Sequence, residues 1–179
     1  MKLLLHCCCA PCSIQCVEVL AGEGIKPDLF WYNPNIHPFT EYRSRLDSLR
    51  SFAEKNNLTL NAKDLYGLRL FLEKTSRAEE DRCIVCYKIR LEETALAAKE
   101  SLYDGFSTTL LISPYQKHEE IIRLGNDLAK KYGLEFCYRD FRPRFREGQS
   151  QARAASYYMQ KYCGCIFSEE ERYLSGAKK

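Results

Sequence analysis

Short apolar or aromatic runs alternate along this chain with amphipathic stretches of helix length, and that alternation leaves few folds open. Lys2 to Cys7 reads as a buried strand. Pro11 stands where a helix can begin, with Ser13 to Leu20 as its body and Gly22 and Gly24 as its stop. Asp28 to Tyr32 reads as a second strand, and Asn33 to Pro38, with its two prolines, as an irregular connection. From about Phe39 to Asn56, Tyr42, Leu46, Leu49 and Phe52 recur at helical spacing. Leu58 to Asn61 suggests a strand, Leu68 to Lys74 a short helix, and residues 77–82 a charged loop. A helix over Val85 to Ser101, a central strand over Phe106 to Ile112, a helix over Lys117 to Tyr132 closed by Gly133, and a strand over Leu134 to Tyr138 follow. A loop from Phe141 to Gly148, a helix from Gln151 to Tyr162 and a short terminal helix complete the pattern. The physical solution is an α/β fold: one domain over residues 1–179, its mostly parallel sheet flanked by helices, with 139–179 as a basic and aromatic extension packed on it. Such sheets bind ligands beyond the carboxyl ends of their strands. Cys8 and Cys9, Asn33 to Pro38, and Ser113-Pro114-Tyr115 would share that rim.

A chain of 179 residues needs no disulfide staples, yet it holds ten cysteines. The start lacks the apolar stretch and cleavage site of a signal peptide, and nothing approaches the roughly 20 apolar residues of a membrane span. The expected compartment is the cytoplasm, where clustered thiols bind metal or do redox work. Eight of the ten fall into sets: Cys7, Cys8, Cys9 and Cys12; Cys83 and Cys86; Cys163 and Cys165. Cys9-Ala-Pro-Cys12 and Cys83-Ile-Val-Cys86 have a spacing that lets two thiolates meet one soft metal. Structural zinc takes four ligands, and an iron–sulfur cluster would use more of the set; the spacing leaves both open. A dithiol redox pair at Cys9 and Cys12 would leave the other thiols idle.

His6 reads as a buried histidine or as support for a metal site, and His37 as a rim residue that could meet substrate or move a proton. His118 reads as a helix-start residue. Asp81, two residues before Cys83, could add a hard ligand or accept a local contact. Between Arg139 and Cys163 stand six basic and two acidic residues, interleaved with Phe141, Phe145, Tyr157, Tyr158 and Tyr162. Arginines meet phosphates and aromatics stack on unpaired bases, so this stretch suits an RNA loop; a solvated surface would carry the same residues. The overall charge of +3 does not itself argue for nucleic acid. No glycine-rich phosphate loop is present; after the first strand the chain has Cys-Cys-Ala-Pro-Cys.

The ordered motifs His6-x-Cys8-Cys9-Ala10-Pro11-Cys12, Tyr32-Asn33-Pro34-Asn35-Ile36-His37-Pro38, Arg82-Cys83-x-x-Cys86, Thr108 to Pro114, Asp140-Phe141-Arg142 and Tyr162-Cys163-Gly164-Cys165 together resemble the cobalamin-independent epoxyqueuosine reductase family. The likeness runs from about His6 to Ser168. It implies a fold akin to the adenine-nucleotide α-hydrolase-like (HUP) proteins. It also implies removal of the epoxide oxygen from epoxyqueuosine at the tRNA anticodon wobble position, giving queuosine. The implied cofactors are a 4Fe-4S cluster and a nearby mononuclear iron, with Cys8, Cys9, Cys12, Cys83, Cys86, Cys163 and Cys165 as the cysteine set. Cys8, Cys9, Cys83, Cys86 and Asp81 are the expected metal ligands. Asp81 and His37 are the expected catalytic residues, and Asn33, Asn35, Arg142, Arg144, Arg153 and Tyr158 the substrate contacts. The partners would be the anticodon stem-loop and an electron donor that the sequence does not name. Two alternatives stand beside this: a zinc-stabilised RNA-binding module, and a thiol-dependent tRNA-modifying transferase.

Overall fold

The computed structural model describes residues 1–76 and 81–174. Its centre is β1 (Leu3–His6), every residue of which is buried. A strand covered on both faces must be apolar throughout, and Leu3, Leu4 and Leu5 satisfy that. β1 pairs in parallel with β2 (Asp28–Trp31) on one side and β4 (Gly105–Thr108) on the other. β3 (Leu60–Ala62) extends the sheet beyond β2, and β5 (Glu135–Phe136) beyond β4. The order β3-β2-β1-β4-β5 makes an open parallel sheet whose winding reverses between β1 and β4. The crevice beyond those two strand ends is where such folds bind ligands.

Helices cover both faces: α1 (Ala10–Gly22), α2 (Phe39–Lys55), α3 (Leu68–Ser76), α4 (Arg82–Glu100), α5 (His118–Tyr132), α6 (Phe145–Ala154) and α7 (Ile166–Leu174). Among the described residues no helix is long and apolar enough to cross a membrane. Pro11 lies in the first turn of α1, where its missing N–H costs nothing. Gly133 closes α5 with φ 66°, in the left-handed region that glycine enters without a Cβ clash.

Two expectations fail. The strand expected through Ile112 stops at Thr108, and Thr109–Ile112 winds into a 3₁₀ turn. Thr108 causes the break, because its hydroxyl accepts the Leu110 N–H at 3.2 Å and competes with a ladder bond. The helix expected over Gln151 to Tyr162 instead spans Phe145–Ala154. Its buried face is Gly148 and Ala152, which lets its backbone approach α1 closely: a Cβ on Gly148 would lie 3.3 Å from the Pro11 carbonyl and 3.2 Å from Gln15. Of the charged loop expected at 77–82, residues 77–80 lie outside the described residues.

Candidate active site: three thiols at the sheet's switch point

The chain leaves β1 at His6 and starts α1 at Ala10, so Cys7, Cys8 and Cys9 occupy the turn at the crevice. Cys9 is the N-cap of α1 and Cys12 lies one turn in. The Sγ atoms of Cys8, Cys9 and Cys12 lie within 4.8 Å of one another, all buried. Cys8 Sγ is 3.7 Å from Cys9 Sγ, and the Thr109 hydroxyl donates to Cys8 Sγ at 3.6 Å. Gln160 Nε2 donates to Cys12 Sγ at 3.4 Å. The positive end of α1 favours negative sulfur here. Hydrogen bonds from Cys12 and Cys9 hold the Cys8 thiol well below its ordinary pKa, with Thr109 and the charge of Arg45 helping. Burial, and the proximity of that thiolate, push Cys9 and Cys12 up. The three thiols thus compete for one negative charge, and a soft cation would relieve that competition by favouring loss of their protons.

Cys8 and Cys12 open onto a cleft of about 290 Å³ that Arg45, Arg90, Thr109, Gln116, Gln149 and Gln160 also line. Two buried guanidiniums here escaped the sequence reading. Arg45 pairs with Glu41 at 2.7 Å and donates to the carbonyls of Tyr162 and Cys163, each at 2.9 Å. Arg90 donates from Nε to the Cys86 carbonyl at 3.1 Å, while its buried Nη2 has no partner. A signal for both existed. Arg45 falls on the Tyr42–Leu46–Leu49 stripe and Arg90 on the Tyr87–Leu91–Thr94 stripe, so each is carried to the core by helical periodicity.

Cys83, Cys86, Cys163 and Cys165 gather round a separate cavity of about 20 Å³, bordered also by Asn35 and Arg90. Cys163 borders both spaces. Burial raises the Cys86 thiol to about 12 and the Cys83 thiol to about 11. Cys7, by contrast, turns its thiol to the Leu5 carbonyl at 3.3 Å.

The expected cofactors are therefore corrected. Among the described residues, the only three or more metal-type ligand atoms that converge are those of Cys8, Cys9 and Cys12. A four-cysteine set for a 4Fe-4S cluster is not gathered: Cys163 borders the same cleft without converging on the three, and Cys83, Cys86 and Cys165 line the other cavity. Nor does a second iron find a converging site with Asp81. What the donors fit is one soft ion on three thiolates, with a position open to the cleft.

The remaining expected site residues fall in several places. Asp81 is the N-cap of α4, accepting from Cys83 N at 2.8 Å and pairing with Lys117 Nζ at 3.0 Å. Those contacts, Lys117 first, lower its pKa. His37 is buried; Nε2 faces the Pro34 carbonyl at 3.0 Å and Nδ1 accepts from Ile166 N at 3.3 Å, so Nε2 carries the proton. Burial lowers its pKa to about 4. His6 is neutral for the same chief reason, its pKa at about 4, and its ring meets Thr108, Tyr32 and Asn33. Asn33 also donates to the Cys7 carbonyl at 2.9 Å and so shapes the thiol turn. Asn35 Oδ1 is buried without a partner beside Cys83 and Cys86. Arg142 pairs with Asp140 and Arg144 with Glu147, each at 2.7 Å, on the surface. Arg153 is exposed on α6, and the Tyr158 hydroxyl binds Glu41.

A cysteine triad at the switch point of a parallel α/β sheet, facing a cleft walled by buried cations, defines an α/β protein equipped to hold a soft metal, with room for a small reacting group. Comparison with known proteins goes further. The family model described as "Epoxyqueuosine reductase QueH" matches residues 3–171, and the chain belongs to that family. The chain is 37% identical to the epoxyqueuosine reductase QueH of Dehalococcoides mccartyi, across 96% of this chain and 94% of that protein. It is also 37% identical to the one from Acinetobacter baylyi, across 93% and 80%, and 33% identical to the one from Thermotoga maritima, across 95% and 91%.

Proposed function

We propose that this chain reduces epoxyqueuosine to queuosine at the wobble position of a tRNA anticodon. The epoxide oxygen leaves as water, two electrons and two protons are consumed, and an alkene remains. The observation that carries this reading is the three-cysteine site opening onto a cleft, in a chain that matches the family over residues 3–171. A soft metal ion held by Cys8, Cys9 and Cys12 would act on the epoxide as a Lewis acid. The electrons come from an external reductant.

The chain's own residues do the rest. The cleft excludes bulk water from the thiols, Thr109 orients the Cys8 sulfur, and Gln160 orients that of Cys12. Arg45 and Arg90 place positive charge where negative charge develops on the departing oxygen. His37, with both nitrogens committed to backbone, serves as a clamp on the tail. Asp81 holds Lys117 and the start of α4, next to the Cys83 group. Arg142, Arg144 and Arg153 supply phosphate contacts on the outer face, and solvent-exposed ion pairs exchange partners at little cost. The order β3-β2-β1-β4-β5 supports kinship with HUP-type folds. Ten unpaired cysteines support a reducing compartment, the cytoplasm.

One observation favours a second reading. A mononuclear thiolate site is what a zinc-stabilised RNA-binding module, or a thiol-dependent tRNA-modifying transferase, would also use, and it suits them better than it suits a cluster-based reductase. Anaerobic incubation with epoxyqueuosine-containing tRNA and a strong reductant, followed by nucleoside mass analysis, separates the three. Loss of one oxygen mass supports the reductase, sulfur insertion the transferase, and an unchanged nucleoside the module.

A further inference from the structure

Tyr115 is 83% exposed, the most exposed aromatic among the described residues, yet it lines the reacting cleft. An aromatic ring left in water normally finds cover, and this one is held out by its loop. Pro114 precedes it, and the Tyr115 N–H donates to the Ser113 hydroxyl oxygen at 3.3 Å. The Phe145 ring meets it edge-on at 6.0 Å between centroids, which braces the ring and leaves room beside it. Its hydroxyl has no partner among the described residues.

The wall next to it has unspent hydrogen-bonding capacity. The Gln149 side-chain amide makes no hydrogen bond among the described residues, although it lines the same cleft. Gln160 keeps Oε1 buried and unpartnered while Nε2 is spent on Cys12. A flat face, a donor–acceptor amide and an orphaned buried acceptor match the needs of one ligand chemistry, a nucleobase: a π face for stacking and an edge of alternating donors and acceptors. Exposed Lys161 on the same cleft suits the adjoining phosphodiester.

We propose that Tyr115 and Gln149 form a nucleobase seat at the cleft mouth: an unpaired base of the RNA loop stacks on Tyr115 while the Gln149 amide bonds its edge. This rests on the reductase reading for its substrate, but not for its test. The seat explains how a group attached to one base reaches Cys8 and Cys12, only 8% and 5% exposed, without the RNA helix entering the cleft.

Trp31 is the chain's single tryptophan and is buried, so Tyr115→Trp adds one fluorophore at the seat. Titration with an anticodon stem-loop hairpin should quench its emission strongly, whereas a duplex of equal charge should not. Tyr115→Ala should bind the hairpin about ten-fold more weakly, with KM rising more than kcat falls, and Tyr115→Phe should behave as wild type. Gln149→Leu should weaken the hairpin several-fold and leave duplex binding alone. Unchanged hairpin affinity in Tyr115→Ala, equal quenching by duplex, or no hairpin binding by the wild type would each overturn the seat. A wild type that reduces epoxyqueuosine while Tyr115→Ala binds normally removes the seat alone. A wild type whose seat binds the hairpin but which never removes oxygen removes the reductase reading alone.

Discussion

Two groups of thiols meet at the cleft, the first through Cys8 and Cys12 and the second through Cys163 alone, and they are assembled by opposite routes. Cys8, Cys9 and Cys12 are brought together by five residues of local chain, where a buried strand turns into a helix. Cys83 and Cys86 depend on a tail more than seventy positions away, because Cys163 and Cys165 join them only when that tail docks. The first group converges to within 4.8 Å. The second surrounds a cavity, and what holds it is polar clamping. Arg45 grips the Tyr162 and Cys163 carbonyls, the Tyr162 hydroxyl donates to the His37 carbonyl at 2.5 Å, and His37 N donates to the Gly164 carbonyl at 2.8 Å. Local turns give ligand sets that survive tail motion; long-range docking gives one that can be loosened piece by piece.

The largest expected effect sets the groups against each other. Cys9→Ser should drop bound soft metal from roughly one ion per chain to near none, while Cys83→Ser keeps it, measured by metal analysis of anaerobically prepared protein. Equal losses would make the two groups a single site.

The next attacks the clamp. Arg45→Met leaves Glu41 buried without its partner and should cost about 3–5 kcal/mol in urea unfolding. Arg45→Lys should recover part of this, because an ammonium cannot reproduce the guanidinium fork toward Glu41 and two carbonyls.

Acid should loosen the second group through His37. Its pKa is lowered in the folded chain to about 4 from an ordinary 6.5, so the unfolded chain binds the extra proton first. The contribution is fully present above pH 6.5 and declines as pH falls toward 4. Protection factors of the α7 amides, corrected for the intrinsic pH dependence of exchange, should fall across that window in the wild type and be pH-flat, though lower, in His37→Gln. The smallest effect belongs to the outer tail: Arg142→Ala should leave stability unchanged within error and weaken hairpin binding a few-fold, more so at low salt.

Much of the scaffold was legible because its signals are local. Leu3 to Leu5 are apolar on both faces, Pro11 and Gly133 punctuate helices, and the stripe on α2 fixes which side is buried. The errors came where a side-chain bond or a distant partner overrides composition. Thr-Thr-Leu-Leu-Ile has the composition of a strand, but the Thr108 hydroxyl diverts it. α6 starts at Phe145 because Gly148 and Ala152 fit α1, a contact invisible in a sequence window. Among site residues, the clustering of cysteines was readable, whereas their division into a converging triad and a dispersed four was not. That division depends on where the tail docks. Arg45 and Arg90 look like surface charges until their helical phase is counted.

The most direct test of the account pairs metal content with turnover in Cys9→Ser and the wild type, on epoxyqueuosine-containing tRNA under anaerobic reduction. The wild type should carry a thiolate-bound metal and yield queuosine, and Cys9→Ser should lose both together. Full conversion by a Cys9→Ser protein devoid of that metal would contradict it.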